Sequence, residues 1–185
     1  IATQPGISQV TTGQGISKPV IRGLGYNRVM VMNNGISQEG QQWGDEHGVE
    51  IDEYDIGSVE ILKGPASLAF GSDALAGVIN FLPPQTLPEG VIKGGILTNY
   101  QTNNGLFGNS VNMGGNKKGI IWDIRYSNKQ AHAYQNKFDG YVFNSGFKES
   151  NIAAILGINR AWGYSHLNFS SFYLSPGIIE GERDA

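Results

Sequence analysis

Cysteine is absent from the 185 residues, which excludes a disulfide framework and any thiolate metal site. Charge is sparse as well. Lys and Arg number 13 against 16 Asp and Glu, a formal net charge of -3, and no block of like charge forms a tail. A nucleic-acid binder needs clustered basic residues to neutralise phosphates, so that class is set aside. No run approaches the roughly 18 apolar residues of a membrane-spanning helix. The sequence has neither an initiator Met nor a signal-peptide pattern at Ile1, so it reads as a processed or truncated piece of a longer protein. What it does have is glycine, 27 residues, and 39% apolar residues, enough for one ordinary domain or two small ones.

Two halves follow different rules. Up to about Pro84, short strands alternate with turns. "PVIRG" (residues 19–23) and "NRVMVMNNG" (residues 27–35) read as strands joined by a turn over Gly23–Tyr26, and Asn34-Gly35 is a strong turn signal. "VEILKGPASLAFGSDALAGVINF", residues 59–81, is a strand, a helix opened by Pro65 and closed by Gly71, a second short helix with Ser72 as its cap, and a closing strand. Gly71 and Gly77 are expected to let those helices approach the sheet closely. This is a small α+β unit with tight corners.

After Pro83-Pro84 the period becomes 2. Ile120, Trp122, Ile124 and Tyr126 alternate with Ile121, Asp123, Arg125 and Ser127. The same alternation sets Phe107, Val111 and Met113 against Gly108, Ser110, Asn112 and Gly114, and Ile152, Ala154, Leu156 and Ile158 against Asn151, Ala153, Gly157 and Asn159. Ile92, Ile96 and Tyr100, and finally Leu167, Phe169 and Tyr173, complete five runs. Each run is about ten residues, the length of a membrane barrel strand with an apolar outer and a polar inner face. Soluble sandwich strands alternate too, but are typically about 5–6 residues long. Tight turns at 114–119 and 161–163 contrast with a long polar connection over 127–148, the asymmetry of outer-membrane barrels; "TNNG" at 102–105 is short on the side that should be long. Five strands cannot close a barrel, and an open edge has no place in lipid. The expected domains are therefore a compact unit over 1–84 and the first five or so strands of a transmembrane β-barrel over 85–185.

A compact unit leading into such strands, carrying "PGISQVTTGQG", "PVIRGLGYNRVMVMNNGISQEG" and "VEILKGPASLAFGSDALAGVINF", resembles the TonB-dependent outer-membrane receptors. The match runs over residues 4–82, and the later half is similar in pattern only. The resemblance implies an α+β plug inside an antiparallel barrel of about 22 strands, a location in the bacterial outer membrane, and import of a scarce nutrient such as a metal chelate (a siderophore), a metal ion or cobalamin. It implies a TonB-type periplasmic energy-coupling protein as partner, acting through a segment missing from this sequence. It also implies a lock between plug and wall, with Arg22 and Lys63 pairing with wall glutamates and Glu60 joining them. Glycans and peptides stay open as cargo.

"EGQQWGDEHGVEID", residues 39–52, is the densest polar cluster. The resemblance makes it an apical loop where ligand first docks. Trp43 amid Gln42, Asp45 and His47 suits a sugar, peptide or chelate, with Tyr26 and Gln14 at the tips of two other loops. Asp45, Glu46 and His47 offer oxygen and nitrogen ligands to a divalent cation, although consecutive residues rarely converge on one ion and a hydrated loop is the better reading. His132 falls in the long outer loop and His166 faces the lumen. No G-x-S-x-G, dinucleotide fingerprint or nucleophile–base pair is present, so neither an enzyme nor a cofactor is expected. The competing classes are a soluble β-rich binding or adhesion module and a hydrolase relying on Ser72 or His47.

Overall fold

The computed structural model describes residues 3–38, 44, 47–138 and 140–179. The chain divides into two compact units. One takes the chain up to Ile51, Ile56–Pro84 and the segment from Pro176; the other takes Asp52–Asp55 and Gln85–Ser175.

In the first unit, β1 (Ile7–Gly13), β2 (Ile16–Ile21) and β3 (Leu24–Gly25) form an antiparallel sheet. The β2–β3 turn is Arg22-Gly23, both at positive φ (50° and 81°), rather than the expected Gly23–Tyr26. Arg22 therefore leaves the strand, because a two-residue hairpin whose twist matches the sheet needs left-handed backbone at both positions. β4 (Val29–Asn33), β5 (Ile36–Ser37), β6 (Ser58–Lys63) and β7 (Gly77–Leu82) make a second sheet in the order β5-β4-β7-β6, with β4 and β7 parallel. Asn34-Gly35 turns β4 into β5 as expected.

β4 and β7 are covered on both faces, which explains their near-continuous apolar sequences. Val29, Val31, Ile79 and Phe81 pack with Ile21 and Ala76 on one side. Met32, Val78 and Ala74 pack on the other. Burying each large aliphatic side chain contributes about 1.5–3 kcal/mol.

Between β6 and β7 the expected helices are 3-10 turns, Pro65–Phe70 and Ser72–Ala74. The hydroxyl of Ser67, fully buried, lies 2.8 and 2.6 Å from the carbonyls of Gly64 and Ala74, which share its one proton, and this ties the segment tighter than an α-helix. Ser72 does not cap. Its hydroxyl faces Asp73, and the cap position is held by Gly71. The two glycines also differ from each other. Gly71 sits in open space at φ 111°, so it supplies conformation only. At Gly77 a β-carbon would lie 2.5 Å from the Leu62 carbonyl oxygen and 2.9 Å from Ile21 Cδ1, so it supplies close approach.

The second unit holds five long antiparallel strands: β8 (Ile92–Gln101), β9 (Leu106–Lys117), β10 (Ile120–Ala131), β13 (Phe147–Arg160) and β14 (Gly163–Pro176), with the small hairpin β11 (Gln135–Asn136) and β12 (Gly140–Tyr141) in the long connection. Their order is β14-β13-β10-β9-β8, a simple meander with open edges. On one face Val111, Met113, Ile124, Tyr126, Ile152 and Leu156 are exposed; on the other Ser110, Ser127, Lys129, Glu149 and Asn151 are buried. Ile124 and Leu156 are each more than half exposed, the reverse of a water-soluble core. This is a plug-type unit joined to an unclosed antiparallel sheet.

Candidate functional site

The residues expected to meet ligand begin with Gln42, Trp43, Asp45 and Glu46, which lie outside the described residues. Among the described residues, β2 holds Gly44 and Val49. The Lys18 side chain is almost wholly buried; its ammonium donates to the Gly44 carbonyl at 2.6 Å and stands 5.6 Å over the Tyr26 ring. The same carbonyl accepts the His47 N–H at 3.1 Å, and the Val49 N–H is bound by the Ser17 carbonyl. Two successive strand residues thus hold the loop that carries His47 and the turn that carries Tyr26. The His47 imidazole approaches Glu50 at 3.7 Å. Gln14 sits in the β1–β2 turn. Among the described residues no group of three metal-ligating side chains converges.

At another edge of this unit the Arg22 N–H is bound by the Gly6 carbonyl, and its guanidinium lies beside Gly64. Lys63, the preceding residue, donates to the Pro5 carbonyl at 2.6 Å. Neither cation meets a carboxylate among the described residues. Glu60 and Lys63 are three apart on β6. On a strand, positions three apart face opposite ways, and Glu60 accepts instead from Asn80 Nδ2 at 3.2 Å.

Sequence reasoning missed a dense polar constellation among the described residues of the second unit. Asp52–Asp55 lies on the polar face of β9, β10 and β13. Asp52 opens a 3-10 turn by accepting the Tyr54 N–H on Oδ1 (3.1 Å), while its Oδ2 accepts the Ser127 hydroxyl at 2.6 Å. The Lys129 ammonium is the hub, 3.1 Å from Glu149, 3.2 Å from Glu53 and 3.6 Å from Asp52, and 4.7 Å over the Tyr54 ring. Glu149 also accepts from Asn151 Nδ2 at 2.7 Å. Register places Lys129 directly opposite both Glu149 and Gly108. The missing side chain at Gly108 makes room for the Tyr54 phenol, whose oxygen would stand 3.1 Å from a β-carbon there. Only the alternation of "DIRYSNK" and "KESN", which sets charges on an inward face, pointed toward this cluster.

Arg125 contacts Asp55 at 3.5 Å and Asp123 at 2.7 Å. Its charge is shared, so burial dominates at Asp55 and pushes its carboxyl up to about 6; Arg125 opposes that shift, and Asp52 and Asp123 add to it. Because the docked pKa exceeds the ordinary 3.8, docking favours the protonated form. The Asp55 contribution to docking is therefore full below pH 4 and is lost as pH rises through 6. Asp55→Asn is expected to abolish this dependence and to slow amide exchange at Tyr54 and Asp55 severalfold at pH 7.5. An unchanged exchange profile between pH 4 and 7 in the variant would refute the assignment.

Comparison with known proteins matches residues 1–78 to the TonB-dependent Receptor Plug Domain. The whole chain is similar to a Vitamin B12 transporter BtuB of Photobacterium profundum, 26% identical over 98% of this chain and 31% of that protein. An iron-regulated outer membrane virulence protein of Vibrio cholerae is 34% identical over 42% of this chain and 13% of its own length. Among solved structures, the copper transporter OprC superposes with a TM-score of 0.77 at 19% identity, over 94% of this chain and 27% of that one. The siderophore receptor PirA from Acinetobacter baumannii gives 0.68 at 19% identity, over 91% and 28%. The chain thus spans about a third or less of each of these proteins.

Proposed function

We propose, from the premise that this chain belongs to the TonB-dependent outer-membrane receptors, that it is the plug and opening wall strands of a receptor that captures a scarce small nutrient and admits it by energy-coupled movement of the plug. The observation that carries this reading is the pairing of a plug match over 1–78 with a five-stranded sheet whose exposed face is apolar. Such a face suits lipid. A TonB-type periplasmic protein is the proposed energy source.

The proteins named above include a vitamin B12 transporter, a copper transporter and a siderophore receptor, and metal ions, metal chelates and cobalamin are accordingly the proposed cargo. Gln42, Trp43, Asp45, His47, Tyr26 and Gln14 are the proposed contacts, with Asp45, Glu46 and His47 able to supply oxygen and nitrogen donors to a bound metal. Cyanocobalamin, ferric enterobactin and Cu(II) should be titrated against the intact receptor. For the true cargo, Trp43→Ala and His47→Ala are each expected to weaken binding about tenfold or more, the size of losing one well-packed contact. Full affinity for all three probes in both variants would remove the apical-loop assignment.

Arg22 and Lys63 are proposed to lock the plug by pairing with wall carboxylates. Their lack of any such partner among the described residues supports this. With Lys at position 63 the charge is kept without the bidentate fork of arginine, so Arg22 carries the larger share. In the intact receptor Arg22→Ala is expected to speed proteolysis within residues 1–84; cleavage at the wild-type rate would end the lock proposal.

A further inference from the structure

The register of β8, β9, β10 and β13 arranges the outward side chains in level rows. Three successive rows are Ile92, Gly115, Trp122 and Leu156; then Gly94, Met113, Ile124 and Ala154; then Ile96, Val111, Tyr126 and Ile152. None of these twelve positions carries a charge, and the Trp122 indole lies over Gly115 across the strands. The next row toward the long connection changes character on all four strands at once: Thr98, Asn109, Asn128 and Ser150. The row above it is Tyr100, Phe107, Gln130 and Lys148. At the other end the apolar rows are bounded by Lys117, opposite Ile120 and Ile158, and by Arg160.

A single polar residue on a lipid-facing strand is unremarkable. Four in register form a line at one depth; Asn128 Nδ2 donates to the Glu149 carbonyl at 3.1 Å and the Ser150 hydroxyl lies 3.5 Å from that of Tyr126, but the remaining polar atoms of the row would need hydrogen-bond partners that lipid does not provide. From Ile120 to Asn128 the chain advances eight residues, about 27 Å at ~3.4 Å per residue. With the usual tilt near 40° that is about 21 Å along the membrane normal, close to the ~25 Å apolar band of outer-membrane barrels.

We infer that the hydrocarbon layer ends at the Thr98–Asn109–Asn128–Ser150 row, and that the wall above it stands as a collar in the headgroup and water layer. Its partner is the lipid bilayer, with hydrocarbon below the row and the polar headgroup zone level with Gln130 and Lys148. Tyr126 lies at the boundary, where an amphipathic ring is at home. This inference rests on the outer-membrane reading and adds the depth at which this wall sits.

The test is nitroxide labelling of single-cysteine variants in the intact receptor reconstituted in liposomes. The chain has no native cysteine to remove; any elsewhere in the receptor would be replaced first. Met113→Cys and Ala154→Cys labels are expected to relax with dissolved oxygen and ignore a water-soluble nickel chelate. Asn128→Cys and Ser150→Cys labels should gain nickel accessibility several-fold over Ala154→Cys, and Gln130→Cys and Lys148→Cys labels more again. Lipid-like accessibility at Asn128 and Ser150 equal to that at Ala154 would overturn the boundary while leaving the barrel reading intact. Nickel access at Met113 and Ala154 equal to that at Lys148 would overturn both.

Discussion

Replacing Lys129 with methionine is expected to detach Asp52–Asp55 from the strands. Among the described residues the ammonium is the one cation paired with Asp52, Glu53 and Glu149, and Asp52 and Glu149 are buried beside it. Methionine keeps the stem's volume and removes the charge, so two buried carboxylates lose their counter-ion. Breaking a buried pair by deleting one partner costs about 3–5 kcal/mol. Hydrogen exchange in the intact receptor should read this as loss of protection at the Tyr54 and Asp55 amides. Lys148→Met, one residue before Glu149 and on the exposed face, should leave them unchanged. A second arm separates the charge argument from general damage: adding Asp52→Asn and Glu149→Gln to Lys129→Met removes the orphaned charges and should recover part of the protection. Equal protection in Lys129→Met and Lys148→Met would sink the hub.

The other large effect is expected at Gly77. An added methyl there would press on the Leu62 carbonyl oxygen and Ile21 Cδ1, and the residue sits at φ 152°. The carbonyl belongs to the β6–β7 ladder, where Leu62 pairs with Val78 and Lys63 with Gly77, so it cannot retreat without breaking strand pairing. Overpacking and backbone strain together place Gly77→Ala at roughly 3 kcal/mol or more, concentrated in the first unit. Gly71→Ala is the control, strained at φ 111° but in open space, and should cost about 1 kcal/mol. Urea titration of residues 1–84 within the intact receptor, followed by protease susceptibility, compares the two. Equal midpoints for the two variants would show that conformation alone, and not close approach, selects glycine at position 77.

The period-2 runs were legible because strand faces alternate whatever a strand packs against. Ile124, Leu156 and Val111 could be assigned to one face, and Ser127, Asn151 and Ser110 to the other, from spacing alone. The turn at Asn34-Gly35 was legible because asparagine and glycine tolerate left-handed backbone. Arg22 was read one position too far into its strand because nothing in an arginine announces positive φ; the demand comes from the neighbouring strand. The short helices were read as α because Pro65 and Gly71 punctuate both helix types alike. What tightened them is the Ser67 hydroxyl reaching a carbonyl seven residues on.

The amino-acid sequence by itself determined the two kinds of structure in this chain, since alternation, turn chemistry and missing cysteines act over a few residues. Only the tertiary structure decided that Asp52–Asp55 joins the strands rather than the sheet that precedes it. Asp52 meets Ser127 across 75 positions of chain, and a charge cannot name a partner that far away. Such pairs are chosen by which inward side chains the register lines up and where Gly108 leaves room, and both exist only once the sheet has formed.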